Sequence, residues 1–274
     1  MLYRSSITAA ALAAALAMPV AGAQAFDESK YPDWKGQWDR TAAPRWADPA
    51  KAPLTPEYRA IFEANVKDQA SGGQGTDPTI TCLSPGMPRI MNVYDPMEIV
   101  ITPDTVHILI GHVHDSRRIY TDGRGWPDEV EPTYAGYSIG TWIDDDQDGR
   151  YDVLAVETRH MRGPRSYDSS GLPLHRDNQT VVKERLALDK ADRNIMHNEI
   201  TVIDHALTRP WTITKDYRRL PAPQPVWREA VCAEGNQHVV IGDENYFLSA
   251  DGYLMPAKKG QKPPDLRYFN QATK

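Results

Sequence analysis

The sequence has 274 residues, with 31 basic residues against 37 acidic ones and a formal net charge of -6 at pH 7. Apolar residues make up 41% and charged residues 25% of the chain, which is typical of globular proteins and excludes disordered and collagen-like classes. The acidic balance also argues against a nucleic-acid partner, because no basic stripe is present to neutralise phosphates.

Residues 1–25 have the pattern of a secretory signal peptide. Arg4 supplies the early positive charge, residues 7–20 form an apolar run too short to span a membrane, and small residues precede a cleavage point at Ala25. The alternative is an uncleaved anchor. No later segment is apolar enough to cross a membrane, so we expect a periplasmic or secreted protein without an integral membrane segment.

Residues 26–96 are predicted to form an irregular arm and one short helix that pack on the body. The arm is rich in Trp, Pro and Asp, and we expect its indoles, at Trp34, Trp38 and Trp46, to hold it against the body. The helix is predicted to begin at the N-cap Thr55, with Pro56 in the first position, and to end at Gly72.

The two cysteines, Cys82 and Cys232, allow a single disulfide, which the oxidising periplasm would favour. Closing a loop of this length stabilises a chain by roughly 4–5 kcal/mol in the entropic model. The alternative is a pair of buried thiols.

A period of two in hydrophobicity begins at Met97 and predicts a mainly β protein. Eight strands are predicted, at residues 97–101, 105–113, 117–121, 137–143, 151–158, 180–188, 199–204 and 211–217. Short connections without helices favour an antiparallel meander over residues 97–220 that closes into a lipocalin-like barrel or sandwich. Residues 221–274 are predicted to wrap the outside, with one hairpin near Gly252.

The most specific motif is an acidic turn, D-x-D-x-D-G-x-x-D, over residues 144–152. Its predicted ligands for a structural Ca²⁺ are the carboxylates of Asp144, Asp146, Asp148 and Asp152. Ligands that are all oxygen atoms favour Ca²⁺ over transition metals, and the turn resembles the calcium hairpins of integrin-type propeller blades over these nine residues. The alternative is a solvated acidic turn.

Alternation along the strands places several polar side chains on apolar faces, where they are predicted to line a pocket inside the barrel. The inward set comprises His112, His114, Arg118, Tyr120, Glu184 and Glu199. We assign His112, His114 and Glu199 as candidate acid/base groups. Arg118, Tyr120, Tyr137 and Glu184 are the candidate substrate-binding groups, and Arg124 is a further candidate for gripping a carboxylate unless it belongs to an Arg–Asp network.

Three interpretations of this set compete. The groups could perform cofactor-free acid/base chemistry, as in a lyase, isomerase or hydrolase. His112 and His114 could instead be half of a transition-metal site completed by His160, His175 or Glu199. They could also be structural groups whose hydrogen bonds are satisfied in a water-containing barrel interior. No nucleophile elbow, phosphate-binding loop or dinucleotide-binding glycine pattern is present in the sequence, so a serine nucleophile is unsupported. No organic cofactor is expected.

The sequence therefore predicts an exported β barrel that handles a small molecule bearing an aromatic ring or a carboxylate. The alternatives are a lipocalin-like carrier without catalysis and an envelope interaction module that uses the Trp-rich arm as its contact. The sequence does not define the substrate or the oligomeric state.

The chain resembles a broad family of exported, largely uncharacterised bacterial proteins. The matching motifs are P-D-W-x-G-x-W at 32–38, P-L-T-P-E-Y at 53–58, C-x4-M-P-R at 82–89, R-R-I-Y-T-D-G-R at 117–124, G-Y-S-I-G-x-W at 136–142, E-R at 184–185, R-P-W-T at 209–212 and C-x-E-G-N at 232–236. The family usually has His at the position of Tyr137 and a short turn in place of the acidic loop. The resemblance implies export and architecture, but no reaction.

Overall fold

The structure is a computed structural model. It describes residues 26–43, 45–92, 94–111, 116–221, 226–227, 232, 238–242, 244–249 and 251–265. The predicted signal peptide lies outside these residues.

The described chain is mainly β, with one α helix, α1, at Pro56–Ala70. The strands are β1 (Gln37–Arg40), β2 (Met97–Ile101), β3 (Thr105–Ile110), β4 (Ser116–Tyr120), β5 (Tyr137–Ile143), β6 (Val153–Arg159), β7 (Val181–Leu188), β8 (Ile195–Ile203), β9 (Trp211–Arg219), β10 (His238–Ile241), β11 (Glu244–Leu248) and β12 (Leu254–Pro256). The predicted fold class is confirmed.

Strands β1 to β9 form a closed barrel in chain order, in which β1 pairs with both β2 and β9. All of these pairs are antiparallel except one: β4 and β5 run parallel, with Ile119 opposite Ser138. The meander is therefore interrupted once. Parallel neighbours require the chain to return to the same end of the sheet, and residues 121–136 make this return.

The Trp-rich arm contributes the strand that closes the barrel, which its irregular pattern did not predict. Trp38 on β1 is fully buried, and Trp34 and Trp46 are nearly so. The indole N–H of Trp38 donates to the carbonyl of Trp34 at 2.9 Å. The indoles hold the arm to the body, as expected, and are therefore not exposed for the contact that an envelope interaction module would need.

Helix α1 begins where the sequence predicts. The hydroxyl of Thr55 accepts from the backbone N–H of Tyr58, and Pro56 occupies the first turn, where no amide hydrogen is needed. Tyr58, Phe62 and Asn65 form the buried face of the helix. None of the described helices is long and apolar enough to cross a membrane.

The predicted disulfide between Cys82 and Cys232 is confirmed, and it links residues 150 positions apart. It joins the N-terminal part of the chain to the C-terminal segment. That segment carries β10, β11 and β12 as a separate three-stranded sheet, whose last hairpin includes Gly252.

The barrel interior is packed with side chains. Buried apolar residues fill most inward positions: Met97, Ile99, Val106, Ile108, Ile119, Leu154, Val156, Val182, Leu186, Met196, Ile200 and Val202. A charged pair lies among these apolar side chains. The guanidinium of Arg117, which is 1% exposed, forms two hydrogen bonds with the carboxylate of Glu184.

Neighbouring strands complete the hydrogen bonding of this pair. Arg117 also donates to the hydroxyls of Thr158 at 2.8 Å and Ser138 at 3.3 Å, while the amide of Asn198 donates to Glu184 at 2.9 Å. A charge pair out of water is tolerated only when its remaining polar atoms find such partners. The polar cluster therefore requires the side chains of β4 to β8 to keep their positions.

We predict that Glu184→Gln lowers the free energy of unfolding by about 3–5 kcal/mol, because it leaves the Arg117 charge buried without a counterion. Urea unfolding would measure the change. Glu199→Gln is the matched control, since Glu199 is exposed on β8, and its effect should stay within about 0.5 kcal/mol. Equal effects of the two substitutions would contradict the prediction. The Arg117→Met/Glu184→Leu double variant should recover much of the loss.

Candidate functional site

The structure separates the residues that the sequence assigned to one pocket. Glu184 on β7 points into the barrel, as predicted, but it is buried in the pair with Arg117 and offers no open face to a substrate. Glu199 on β8 alternates with the buried Asn198, so its side chain lies on the outer face. The predicted inward orientation of Glu199 is wrong, because β7 and β8 pair it with the exposed Arg185.

The predicted inward orientations of Arg118 and Tyr120 on β4 are also wrong. The prediction carried the alternation of β3 through the connection without a break. In the structure, Ile108 of β3 lies opposite Arg117, and opposite residues share a face. Arg117 therefore points inward. Arg118 and Tyr120 have the opposite parity on β4, so their side chains point outward.

The predicted catalytic pair, His112 and His114, lies outside the described residues, and its role stays a prediction. The three residues proposed to complete a metal site with it are dispersed. His160 follows β6 and packs beside Trp126, with ring centroids 6.3 Å apart. Glu199 is on the outer face, and His175 belongs to a different cluster, described below.

Two of the predicted substrate-binding residues meet on the outer face. The rings of Tyr120 and Tyr137 lie 5.0 Å apart, and the guanidinium of Arg124 lies 3.9 Å from the centre of the Tyr120 ring. Arg124 also donates to both carboxylate oxygens of Asp122, and these hydrogen bonds lower the pKa of Asp122 to about 2. Because Asp122 already occupies the guanidinium, the Arg–Asp network is the better interpretation of Arg124.

A different group of residues forms a cleft that contains a partly buried lysine. This cleft of about 500 Å³ lies between β9 and residues 40–43 and 45–49. Alternation along β9 gives Lys215 the same orientation as the buried Trp211 and Tyr217. We call this space the Lys215 cleft; its lining also includes Trp46, Ala47, Met91 and Asn92.

Neutral acceptors hold the amine of Lys215. It donates to the side-chain oxygen of Asn92 at 3.2 Å and to the backbone carbonyl of Arg45, and it lies 5.4 Å from the centre of the Trp46 ring. Among the residues that the structure describes, no carboxylate forms an ion pair with the Lys215 amine, whose hydrogen bonds go to neutral acceptors. Within this part of the chain, the lysine charge has no direct counterion.

Burial lowers the pKa of Lys215 to about 8, since removing water penalises the charged amine. Asp168 opposes this shift from a distance, and the positive charge of Arg40 adds to it. The buried Asp168 also accepts a hydrogen bond of 2.7 Å from the backbone N–H of Trp46, which holds this wall of the cleft in place.

Two further donors in the lining have no hydrogen-bond partner among the described residues. They are the indole nitrogen of Trp46 and the amide nitrogen of Asn92, and each residue is 2% exposed. The orientation of the Asn92 amide follows from Lys215, which donates to its oxygen. Buried donors without acceptors are rare in folded proteins, and here two of them belong to residues that contact Lys215.

Lys215 is not among the residues predicted from sequence, although the pattern of its strand contains a signal for it. In the strand Trp211–Arg219, Lys215 has the same parity as the apolar or aromatic residues Trp211, Ile213 and Tyr217. A lysine at an inward position is a candidate functional group by the same argument that selected Glu184. Its partners Trp46 and Asn92 are distant in sequence, and no spacing connects them to it.

The acidic turn brings three of its four predicted ligands together. Carboxylate oxygens of Asp144, Asp146 and Asp152 all lie within 4.8 Å of one another. Asp148 is not part of this group; its carboxylate accepts from the backbone N–H of Arg150 at 2.8 Å. The turn connects β5 to β6, so the strands that it joins are those predicted.

No protein-family model matches the chain, and no curated protein matches it either. The family resemblance derived from the motifs therefore stays a prediction.

The lowered pKa predicts how the Lys215 amine reacts. Its acetylation by a trace of acetic anhydride should reach half of its maximum near pH 8, because the neutral amine is the nucleophile. In the urea-unfolded protein, the midpoint should move to about 10.4. Peptide mass spectrometry would follow the residue in both states, and a shared midpoint would contradict the prediction. Because the folded pKa is the lower one, this group makes the protein more stable as the pH rises from 8 toward the unfolded value.

Proposed function

We propose that this protein is an exported β barrel that binds a small aromatic carboxylate in the Lys215 cleft. The observation that carries the proposal is the Lys215 amine, which burial in the cleft leaves without a carboxylate ion pair among the described residues. A carboxylate offers about four lone-pair sites and a negative charge, so it suits this amine.

The remaining lining supports the same class of ligand. Trp46, Met91 and Tyr217 supply aromatic and apolar surface, and the volume falls in the range of small-molecule sites. Three basic residues, Arg40, Arg45 and Lys215, outnumber the two acidic ones, Asp48 and Asp216. The ligand class is the one predicted from sequence, but the proposed position is at the wall of the barrel, because the interior positions are filled with side chains.

The test is the binding of phenylacetate, followed by calorimetry and by tryptophan fluorescence. We expect Lys215→Met, which keeps the length of the side chain, to weaken phenylacetate binding about ten-fold to hundred-fold, since a hydrogen bond to a charged group contributes about 1.5–3 kcal/mol. Lys183→Met is the matched control, because Lys183 is exposed on β7 and is not part of this lining.

Phenylacetamide provides the ligand control. It has the same shape without the charge, and the parent protein should bind it more weakly than phenylacetate. Equal affinities for the acid and the amide, or an unchanged affinity in Lys215→Met, would contradict the proposal.

The second candidate function is acid/base chemistry in the same cleft, which the pKa of about 8 for Lys215 favours. Exchange of the benzylic hydrogens of phenylpyruvate in deuterated water distinguishes an enzyme from a carrier. An enzyme would accelerate the exchange above the buffer rate and lose the acceleration in Lys215→Met. A carrier would leave the exchange at the buffer rate. The roles proposed for His112 and His114 remain predictions beside this one.

Export is proposed on two observations. The first 25 residues have the pattern of a signal peptide, and the Cys82–Cys232 disulfide suits an oxidising compartment. Fractionation of the cells that produce the protein would test this, and the uncleaved chain in the cytoplasm would contradict it.

We also propose that the acidic turn between β5 and β6 binds a structural Ca²⁺. Ca²⁺ that binds only the native state should raise its stability by about 2.7 kcal/mol at a hundred-fold excess over Kd, and a chelator should reverse the shift. The variant Asp144→Asn/Asp146→Asn should lose the response, because two of the three converging carboxylates are gone.

The matched control for the turn is Asp128→Asn/Glu129→Gln, which removes the same charge from an exposed loop. It should keep the full response to Ca²⁺. A parent protein whose melting temperature is insensitive to the chelator would contradict the calcium proposal.

A further inference from the structure

A cluster of two histidines and one aspartate lies away from the Lys215 cleft. His175 and Asp177 belong to the connection between β6 and β7, and His205 follows the end of β8. One potential ligand atom from each of the three lies within 4.8 Å of the other two. The ring nitrogen Nδ1 of His175 is 2.9 Å from one carboxylate oxygen of Asp177, and Nδ1 of His205 hydrogen-bonds the other.

The two segments that carry these side chains are fixed to each other by Asp204. Its carboxylate is 7% exposed and accepts from the backbone N–H groups of His175 at 2.9 Å and Ala206 at 2.8 Å. It also accepts from the hydroxyl of Thr180. One buried carboxylate therefore holds both histidine-bearing segments, so that the three side chains meet without further movement of the backbone.

Hydrogen bonding alone does not account for the position of His175. Its Nδ1 faces the backbone N–H of Asp177 at 3.1 Å, which needs a lone pair, and a carboxylate oxygen at 2.9 Å, which needs a proton. No single protonation state of this nitrogen suits both neighbours. A cation bound by both the Nδ1 lone pair and the carboxylate oxygen would relieve their repulsion, and the backbone N–H of Asp177 would then lose Nδ1 as its acceptor.

We propose that His175, Asp177 and His205 bind one divalent transition metal ion, with Zn²⁺ as the best fit. Two imidazole nitrogens and one carboxylate oxygen are the ligand types that Zn²⁺ prefers, whereas Ca²⁺ prefers oxygen alone. Ligand atoms around a tetrahedral Zn²⁺ lie roughly 3.3 Å apart, given metal–ligand bonds of about 2.0–2.1 Å. The three potential ligand atoms of the cluster lie within 4.8 Å of one another.

Three protein ligands leave a coordination position for water or for a small ligand. His175 also lines a cavity of about 390 Å³, together with Tyr58, Ile61, Arg165, Leu174 and Asn178. The proposed metal is therefore next to a space that a ligand could enter. This site is independent of the Lys215 cleft and of the acidic turn, and each of the three proposals can fail alone.

The test uses the untagged full chain, stripped of metal with a chelator and titrated with Zn²⁺ in excess Ca²⁺. We expect saturable binding of one Zn²⁺, and we expect Co²⁺ to give the intense visible absorption of a four-coordinate site. His205→Ala should weaken Zn²⁺ binding on the order of 100-fold. His205 is 69% exposed, so this substitution leaves the core packing intact, and Asp177→Asn provides a second variant with the same expectation.

His197→Ala is the matched control. His197 also contacts two carboxylates, those of Asp189 and Asp216, but through opposite ring nitrogens, so its partners do not converge on one point. Its removal should leave Zn²⁺ binding unchanged. The proposal is overturned if the parent binds no stoichiometric Zn²⁺, if His205→Ala and Asp177→Asn keep the parent affinity, or if binding disappears only in the variant Asp144→Asn/Asp146→Asn.

Discussion

The buried pair of Arg117 and Glu184 is the interaction on which the barrel most depends. A charge inside a barrel is stable only where its counterion and all remaining donors have partners. Here the partners come from β5, β6 and β8, so that side chains from five consecutive strands meet in one hydrogen-bonded cluster. Such a cluster specifies the register of the strands more than it adds to the free energy of unfolding. A slip of one residue in any of these strands would turn its polar side chain outward.

The filled interior determines where a ligand can bind. Lipocalin-like barrels can hold a molecule inside, but here apolar side chains and the polar cluster occupy the described interior. We therefore place the proposed binding at the wall, where the short strand β1 pairs with only the last three residues of β9 and leaves the rest of that edge without a partner strand in the described part of the chain. The arm covers this gap with Trp46, and the Lys215 cleft lies between the two.

One connection supports two of the proposed sites. The chain between β6 and β7 supplies Asp168, which holds the backbone of Trp46 beside the Lys215 cleft. It also supplies His175 and Asp177 of the proposed metal site. Loops on a rigid barrel commonly carry function because the barrel fixes their ends. Buried carboxylates, Asp168 in one place and Asp204 in the other, fix this connection further.

The sequence alone determined the elements that depend on local pattern: the barrel strands β2 to β9, helix α1 with its Thr55 cap, the single possible disulfide and the acidic turn. These follow from periodicity, capping and counting, which need no knowledge of distant residues. Only the tertiary structure decided which face of β4 and β8 points inward, because strand phase across a connection depends on register with the neighbouring strand. It also decided that Trp46 and Asn92 meet Lys215, and that His175 meets His205, since such contacts join segments whose separation along the chain leaves no periodic signal.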